Sequence, residues 1–308
     1  MNDPTEASPT GQSVLLSGAT GLVGSRLRIL LEKEGLAVRG LSRKAAADSR
    51  NAQWDGTTPP AAALSEAHSV IHLSGQPVFG GIPGSRQRER ILSSRVDSTR
   101  AFVDALAALT AQQRPEVFLC ASAIGYYGDR GEDLLTEDAG PGSGFLADVC
   151  RAWEAEASRA ESLGIRTVRL RIGVVMAREG GALPMMALPF RAGLGGPLGD
   201  GRQWFSWIHV DDLCQLIAAA RRDPAYTGAI NAVAPNPVRN ADLTRSLAKC
   251  VRRWAPFRVP KFALRGLLGP LASELLGSRH VVPARAQELG FEHRFPEIAG
   301  ALAEELGS

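Results

Sequence analysis

The sequence predicts an α/β chain: a doubly wound parallel sheet with a smaller, mostly helical C-terminal region. Three observations carry that expectation. A short apolar run, Ser13-Val-Leu-Leu-Ser17, passes through Gly18-Ala-Thr-Gly21-Leu-Val-Gly24 into an amphipathic stretch over residues 25–34. Strand-length apolar runs then alternate with helix-length segments as far as Arg171. Beyond about residue 178 the alternation stops, and Gly and Pro become dense over residues 180–201. Strands separated by helices of crossover length pair in parallel and are covered on both faces.

The first crossover is the most specific feature. Strand, glycine-rich turn and helix in that order form a cradle for a pyrophosphate. Gly18 takes the tight turn, Gly21 lets a phosphate approach the main chain, and Gly24 lets the helix pack closely on the strand. Main-chain N–H groups across Thr20, Leu22 and Val23, at the helix start, face the anion. The second apolar run, residues 36–41, ends in Ser42-Arg43-Lys44, with no acidic residue to chelate the ribose hydroxyls of NAD. Arg43, with Ser42 beside it, puts positive charge where the 2′-phosphate of NADP lies, so the expected cofactor is NADP(H). Lys44 reads equally well as a solvated loop charge.

Each later element follows from its own pattern. Val70-Ile-His-Leu73 reads as a buried strand ending in Ser74-Gly75, with His72 in the core. Residues 87–109 read as one long helix, from which Ser94, Arg95 and Thr99 could reach the cofactor, a solvated helix face being an equal reading for Arg95. Residues 117–121 form a strand, 146–163 a helix and 167–171 a further strand. In that helix Leu146, Val149, Cys150, Trp153, Ala157, Ala160 and Leu163 recur at steps of three and four on one apolar face. A ligand then lies where the Gly18, Ser42, Leu73-Ser74-Gly75 and Ala121-Ser122 segments converge, at the carboxyl ends of the strands. Trp54-Asp55 follows the third strand, where adenine would rest, although a local turn at Asp55-Gly56 explains it almost as well. Residues 180–201 are expected to form an irregular cap, 204–210 a strand or turn, and Asp211 or Asp212 to cap a helix running to Arg222. Residues 229–233 read as a short strand, 242–254 as a helix, and 262–277 and 284–306 as mainly helical. In domain terms, residues 1–12 are a flexible tail and 13–177 a dinucleotide-binding domain to which 205–235 return. Residues 178–308 are then the substrate-binding cap and helical C-terminal region.

At 308 residues the chain buries a substantial core. Its 22% charged and 44% hydrophobic residues and net charge of +3 are those of an ordinary globular enzyme, too balanced to imply a nucleic-acid partner. No apolar run approaches the roughly 18 residues of a membrane span. The polar N-terminus lacks the regions of a signal peptide. Cys120, Cys150, Cys214 and Cys250 show no C-x-x-C spacing, so reduced thiols in a cytoplasmic protein, with no metal, are expected. The expected partner is a small-molecule substrate, with neither nucleic acid nor membrane, and the oligomeric state is left open.

The motifs combine into a family resemblance. Gly18-x-x-Gly21-x-x-Gly24, Ser122-Ala-Ile-Gly-Tyr-Tyr-Gly128, Trp153-Glu154 and Leu170-Arg-Ile-Gly-Val-Val175 all fit it. So do Gly180-Gly-Ala-Leu183, Gly199-Asp-Gly-Arg-Gln-Trp204, Trp207-Ile-His-Val-Asp-Asp212 and Asn231-Ala-Val-Ala-Pro-Asn-Pro237. From residue 13 to about 303, tail included, the chain resembles the epimerase-like branch of the atypical extended short-chain dehydrogenases/reductases, related to the NAD(P)-dependent epimerases/dehydratases. The resemblance implies a Rossmann-type domain, NADP(H) binding and a smaller C-terminal substrate region, without naming a substrate.

It also implies a Ser or Thr, a Tyr and a Lys as the acid–base machinery, with Tyr and Lys four residues apart on one helix face. Residues 145–150, Phe-Leu-Ala-Asp-Val-Cys, occupy those positions, and no Lys occurs between Lys44 and Lys249. With Tyr127-Gly128 set on the family's Tyr-Gly, the hydroxyl position falls on Ala123, next to Ser122. The candidates for proton transfer are therefore Tyr126, Tyr127 and Ser122, with Tyr127 preferred, although the paired tyrosines also read as packing over the cofactor. Tyr126, Arg202, Gln203, Trp204 and Trp207 combine hydrogen-bonding groups with flat apolar faces and are candidates for the substrate, bracing of the cap loop being the competing reading. His209 near Asp211-Asp212 reads better as a satisfied buried histidine than as a base. Three functions fit: an NADP(H)-dependent oxidoreductase acting on a small polar carbonyl or imine, a sugar-nucleotide epimerase, and a cofactor-holding sensor or assembly protein without catalysis.

Overall fold

The computed structural model describes residues 13–42, 51–78, 84–255, 257–262, 266, 272 and 276–307. The chain opens with β1 (Ser13–Ser17), α1 (Leu22–Lys33), β2 (Ala37–Ser42), β3 (Asn51–Gln53), α2 (Ala61–Ser65) and β4 (Ser69–His72). It continues through α3 (Ser85–Ser93), α4 (Val96–Ala107), β5 (Val117–Ala123), β6 (Leu134–Leu135), α5 (Phe145–Ser158), β7 (Arg166–Ile172) and β8 (Val174–Met176). The later part holds α6 (Ala182–Arg191), β9 (Trp204–Phe205), β10 (Trp207–His209), α7 (Val210–Arg222), β11 (Gly228–Ala232), β12 (Val238–Arg239), α8 (Asn240–Cys250) and β13 (His280–Val281). It ends in α9 (Ala284–Glu288) and α10 (Ile298–Leu306).

Seven strands form one sheet in the order β11-β7-β5-β4-β1-β2-β3, with every neighbouring pair parallel. The chain lays β2 and β3 on one side of β1 and then returns to lay β4 on the other. That reversal opens a crevice at the carboxyl ends of β1 and β4. Leu27 and Leu31 of α1 pack with Leu213, Leu216 and Ile217 of α7 over one face of the sheet. Phe102, Val103 and Leu106 of α4 cover the other with Trp153 and Ala157 of α5. A third core joins Leu183 and Phe190 of α6 to Trp207, Leu243, Leu247, Ile298 and Leu302.

Four elements depart from the sequence expectation. The helix expected over residues 87–109 is two, because the chain turns at Ser94–Arg95, where the Ser94 Oγ accepts the Gln76 N–H at 3.1 Å. The Gly/Pro-dense cap contains a regular helix, α6; Pro184 sits in its first turn, where a missing N–H costs nothing. The cap of α7 is His209, whose Nδ1 accepts the Asp211 N–H at 3.2 Å, rather than either aspartate. The helix expected over 146–163 ends at Ser158 in a 3₁₀ turn that Gly164 closes at φ 78°. Most of the expected 262–277 helix lies outside the described residues.

The first turn is sterically committed to glycine. A Cβ on Gly24 would lie 2.1 Å from the Gly18 carbonyl oxygen, and Gly18 itself has φ +75° with the Leu73 carbonyl 3.0–3.1 Å from any Cβ. Gly24→Ala should therefore lower stability by about 1–3 kcal/mol, as for other overpacked sites, and weaken any ligand of the turn. Urea unfolding of the variant checks this; an unchanged midpoint would contradict the contact.

His72 is fully buried between Ser17 Oγ at 2.6 Å and Ser98 Oγ at 3.2 Å, and burial pushes its pKa from 6.5 down to about 3. The unfolded chain takes up that proton near 6.5 while the folded chain refuses it, so stability is complete above 6.5 and erodes as pH falls toward 3. His72→Gln should flatten that part of the stability–pH curve, read as urea midpoints across this range.

Candidate functional site

The crevice is built from strand ends. The turn 18–21 is closed by the Gly21 N–H on the Gly18 carbonyl at 2.9 Å, and α1 starts at Leu22 with no acidic side chain in its first turn. Thr20 is exposed, and Leu22 and Val23 are half-buried. The N-terminal amides of α1 thus point into the crevice with no side-chain cap, the arrangement that favours an anion. From β4, Leu73 donates its N–H to Ser17 and Ser74 donates its own to the Ser17 Oγ at 3.3 Å, fixing the path past Gly75. Gly180 and Gly181 approach Leu22 from the other side, so the loop before α6 overhangs the start of α1.

Arg95 joins these elements. Its guanidinium lies next to Gly75, where a Cβ would sit 3.5–3.7 Å away, and 5.3 Å from the Trp153 ring. It makes no ion pair among the described residues; it donates to the Ile91 carbonyl and toward Ser94 Oγ. Burial lowers its pKa, partly offset by Cys150. A half-buried cation without a carboxylate, beside the open end of β4, suits a negatively charged ligand. The turn, Leu73, Ser74, Gly75, Ala121 and Arg95 thus converge at the carboxyl edge. Ser42 ends β2, but Arg43 and Lys44 lie outside the described residues.

The second-strand neighbours are spoken for. Trp54 is a core residue, edge-on to Phe102 at 5.2 Å and to His72 at 6.1 Å, with its indole N–H buried and without a hydrogen bond. Asp55 accepts both the Thr57 N–H at 2.8 Å and the Thr57 hydroxyl at 2.6 Å, so its carboxylate closes a local turn, and those bonds lower its pKa. The local turn that the sequence allowed at Asp55 is thus formed.

The acid–base candidates are locked in a buried network that sequence reasoning missed. Arg171 at the end of β7 donates through Nε and Nη2 to the two oxygens of Glu154, at 2.9 and 3.0 Å, and through Nη1 to the Tyr127 hydroxyl at 2.8 Å. Ser122 donates to the same carboxylate at 2.7 Å. The Tyr127 hydroxyl lies 2.7 Å from Asn231 Oδ1 and 3.0 Å from the Thr136 carbonyl, and Tyr127 is wholly buried. Burial pushes its pKa up to about 12, against the pull of Arg171. Burial would also lower the Arg171 value, but Glu154 and Tyr127 outweigh it and hold it up. A hydroxyl so held is no base at neutral pH, so Tyr127 and Ser122 serve the interior and not the substrate. Part of the signal was present: Glu154 stands among Ala147, Cys150 and Ala157 on the buried face of α5, whereas Arg171 only continues the register of Thr167 and Arg169 in β7. Tyr126 is different. It is half-buried, its ring lies 3.6 Å from the Arg171 guanidinium, and its hydroxyl makes no hydrogen bond among the described residues.

The aromatic residues expected to meet a substrate brace the cap instead. Trp204 stacks on His280 at 3.8 Å and 7°, Arg239 covers its ring at 3.9 Å, and its N–H reaches Glu132 at 3.1 Å. Glu132 in turn holds Arg239 at 2.6 and 2.8 Å, which lowers its pKa to about 2. Trp207 is fully buried with its N–H on the Asn236 carbonyl, and Gln203 donates to the Leu198 carbonyl at 3.1 Å. Arg202 is exposed, its N–H on Asp200. His209 is likewise interior, its Nε2 at ion-pair distance, 2.9 Å, from Glu305 but out of hydrogen-bond alignment. Among the described residues no cluster of three metal-ligating side chains occurs.

Residues 14–232 match the model of the NAD dependent epimerase/dehydratase family, and residues 259–305 a domain of unknown function. The chain belongs to the NAD-dependent epimerase/dehydratase family. An epimerase family protein SDR39U1 homologue, chloroplastic, of Arabidopsis thaliana is 39% identical over 94% of this chain and 85% of its own length. The epimerase family protein YfhF of Bacillus subtilis is 34% identical over 95% and 97%. A crystal structure of human epimerase family protein SDR39U1 with NADPH superposes with a TM-score of 0.85 at 29% identity, covering 96% of this chain and 99% of that one. These relatives place the chain in the atypical, epimerase-like branch of the extended short-chain dehydrogenases/reductases.

For a family member the buried network makes a direct prediction. Tyr127→Phe should cost about 1–3 kcal/mol of stability, by stranding Asn231 and Arg171, and leave ligand affinity unchanged. Arg171→Met should cost about 3–5 kcal/mol, because Glu154 is left charged and alone in the interior. Urea titrations measure both. A Tyr127→Phe protein with an unchanged midpoint would return Tyr127 to the list of catalytic candidates.

Proposed function

We propose that the chain binds NADP(H) across the β1–β4 crevice and reduces a small polar carbonyl or imine substrate. The observation that carries this reading is the cradle itself: no side chain fits at Gly24, and the first turn of α1 contains no acidic residue. The residues present fit the cofactor. Main-chain groups at Gly18, Thr20, Gly21, Leu22, Val23 and Gly24 hold the pyrophosphate. Ser42, and Arg43 as the next residue in the sequence, would receive the 2′-phosphate. Leu73, Ser74, Gly75 and Ala121 line the path, with Arg95 beside them. When bound, NADPH supplies a hydride.

This chain's own task is then to orient the acceptor and deliver a proton. With Tyr127 and Ser122 occupied, Tyr126 carries the available hydroxyl; it donates its proton to the substrate oxygen or nitrogen as the carbon accepts the hydride. A C=N substrate that arrives protonated needs no such donor, since the π pair moves onto its cationic nitrogen. Epimerisation demands a competent base in both directions, and no Lys lies between Lys44 and Lys249 to lower a tyrosine pKa. That same gap favours one second reading, a protein that holds NADP(H) without turning it over. Four free cysteines suit a reducing compartment such as the cytoplasm.

Fluorescence titration should show NADPH binding well ahead of NADH, with Arg43→Ala erasing the preference. Equal affinity for the two would refute the assignment of Arg43. Across a panel of ketones and imines, Tyr126→Phe should lower kcat on ketones by about 10²-fold or more and spare preformed iminium substrates. Tight NADPH binding with no turnover anywhere on the panel would select the non-catalytic reading.

A further inference from the structure

Of the ten large hydrophobic side chains exposed in the described chain, six fall in two apposed segments of the cap. Met185 and Leu188 lie on α6 and Leu194 just after it; Trp254, Phe257 and Phe262 follow α8. The segments run side by side. Val259 donates to the Pro197 carbonyl at 3.0 Å, Gly199 donates to the Val259 carbonyl at 2.9 Å, and Gly196 lies against the Phe257 carbonyl. Trp254 is 88% exposed and Phe262 77%, beyond what scattered surface apolar residues need.

The charge around them has one sign. Residues 243–262 contain six basic residues, Arg245, Lys249, Arg252, Arg253, Arg258 and Lys261, and no acidic one; residues 180–199 contain Arg191 and again no acid. Arg245 pairs with Asp242, and Lys261 lies 4.0 Å from Asp200. Arg191, Lys249, Arg252, Arg253 and Arg258 make no ion pair among the described residues. In a chain whose basic and acidic totals are 35 and 32, two adjoining segments without an acidic residue, bordered by Asp200 and Asp242, are a local feature. A protein interface carries a mixed polar rim with hydrogen bonds across it. An anionic bilayer asks for something else: cations at the phosphates, aromatic rings at headgroup level and aliphatic side chains just below, with no carboxylate to repel the surface.

We propose that this face, α6 with residues 192–199, 249–255 and 257–262, docks the protein peripherally on an anionic lipid surface. No helix of the described chain is long and apolar enough to cross a membrane, and none is needed. The expectation of no membrane partner rested on spanning segments alone and does not reach a peripheral surface. The proposal is independent of the cofactor assignment.

The test uses the full chain and vesicles of phosphatidylcholine, alone or with about one third phosphatidylglycerol. Flotation should recover the protein with the anionic vesicles only, and added salt should release it. Trp254→Ser, and separately Arg252→Gln with Arg253→Gln, should each weaken vesicle binding at least ten-fold, with the thermal midpoint and the NADPH titration unchanged. Trp254 should also become shielded from a soluble quencher on vesicle addition. Absence of flotation at low salt, equal flotation with neutral vesicles, or full binding by both variants would each overturn the proposal. So would a Trp254 already shielded in a lipid-free dimer, or capture by polyglutamate with no response to vesicles.

Discussion

Arg171 brings a permanent positive charge to the end of a central strand, where it is 4% exposed. A guanidinium cannot shed its proton to escape the interior, so the surroundings must answer each of its N–H groups. Glu154 supplies the opposite charge from α5, Tyr127 and the Glu137 carbonyl accept from Nη1, and Ser122 adds a bond to the carboxylate. Five residues from four stretches of chain are thereby fixed at the carboxyl edge of the sheet. Their polarity is consumed internally. The hydroxyls of Tyr127 and Ser122 are therefore both hydrogen-bonded within this network.

The network does not stop at the sheet. Asn231 of β11, the partner of Tyr127, gives its main-chain N–H to Glu137 at 2.9 Å and its side-chain amide to the Val282 carbonyl at 2.9 Å. Glu137 also accepts the Arg285 N–H, and burial raises its pKa despite these bonds. Ser206 binds the chain on both sides of His280, and Ser278 ties Trp204 to Gly131. The C-terminal segment is thus anchored to the sheet mostly by buried side chains bonding main-chain groups, which fix position rather than add much net stability.

Much of this order was legible in the residues, for reasons of sterics and period. A glycine at 24 is required by a carbonyl that any Cβ would strike, and glycine is a residue one can see. The strands were readable because a doubly covered sheet leaves continuous apolar runs, as in Ser69–His72, where every residue is buried. What the residues did not disclose was partner geometry. Trp204 looked like a substrate platform because an indole suits one; that Arg239 and His280 lie against its ring depends on contacts 35 and 76 positions away. Tyr127 and Tyr126 are adjacent in sequence, but their rings stand at 88° to each other, so one enters the Arg171 network and the other keeps a free hydroxyl. Helix breaks were equally hidden: nothing in the pattern around Ser94 announces that its hydroxyl will be taken by the Gln76 N–H of another segment.

The locked hydroxyls bear on how a cofactor site can outlast the acid–base machinery usual for its fold. The cradle at residues 18–24 depends on main-chain groups and on the absence of side chains, so it is insensitive to what occupies residues 145–150 of α5. There Leu146 and Cys150 pack on Gly125, with a Cβ on that glycine 3.3 Å from Leu146 and 3.6 Å from the Cys150 sulfur. An apolar contact thus fills the helix face where the family's Tyr–Lys pair would stand. Burial pushes the Cys150 thiol up to about 12, which leaves it protonated and inert at neutral pH. Arg95, just before α4, makes no ion pair among the described residues and lies beside Gly75 at the open end of β4. A guanidinium thus stands at the break between α3 and α4, while α5 carries no lysine.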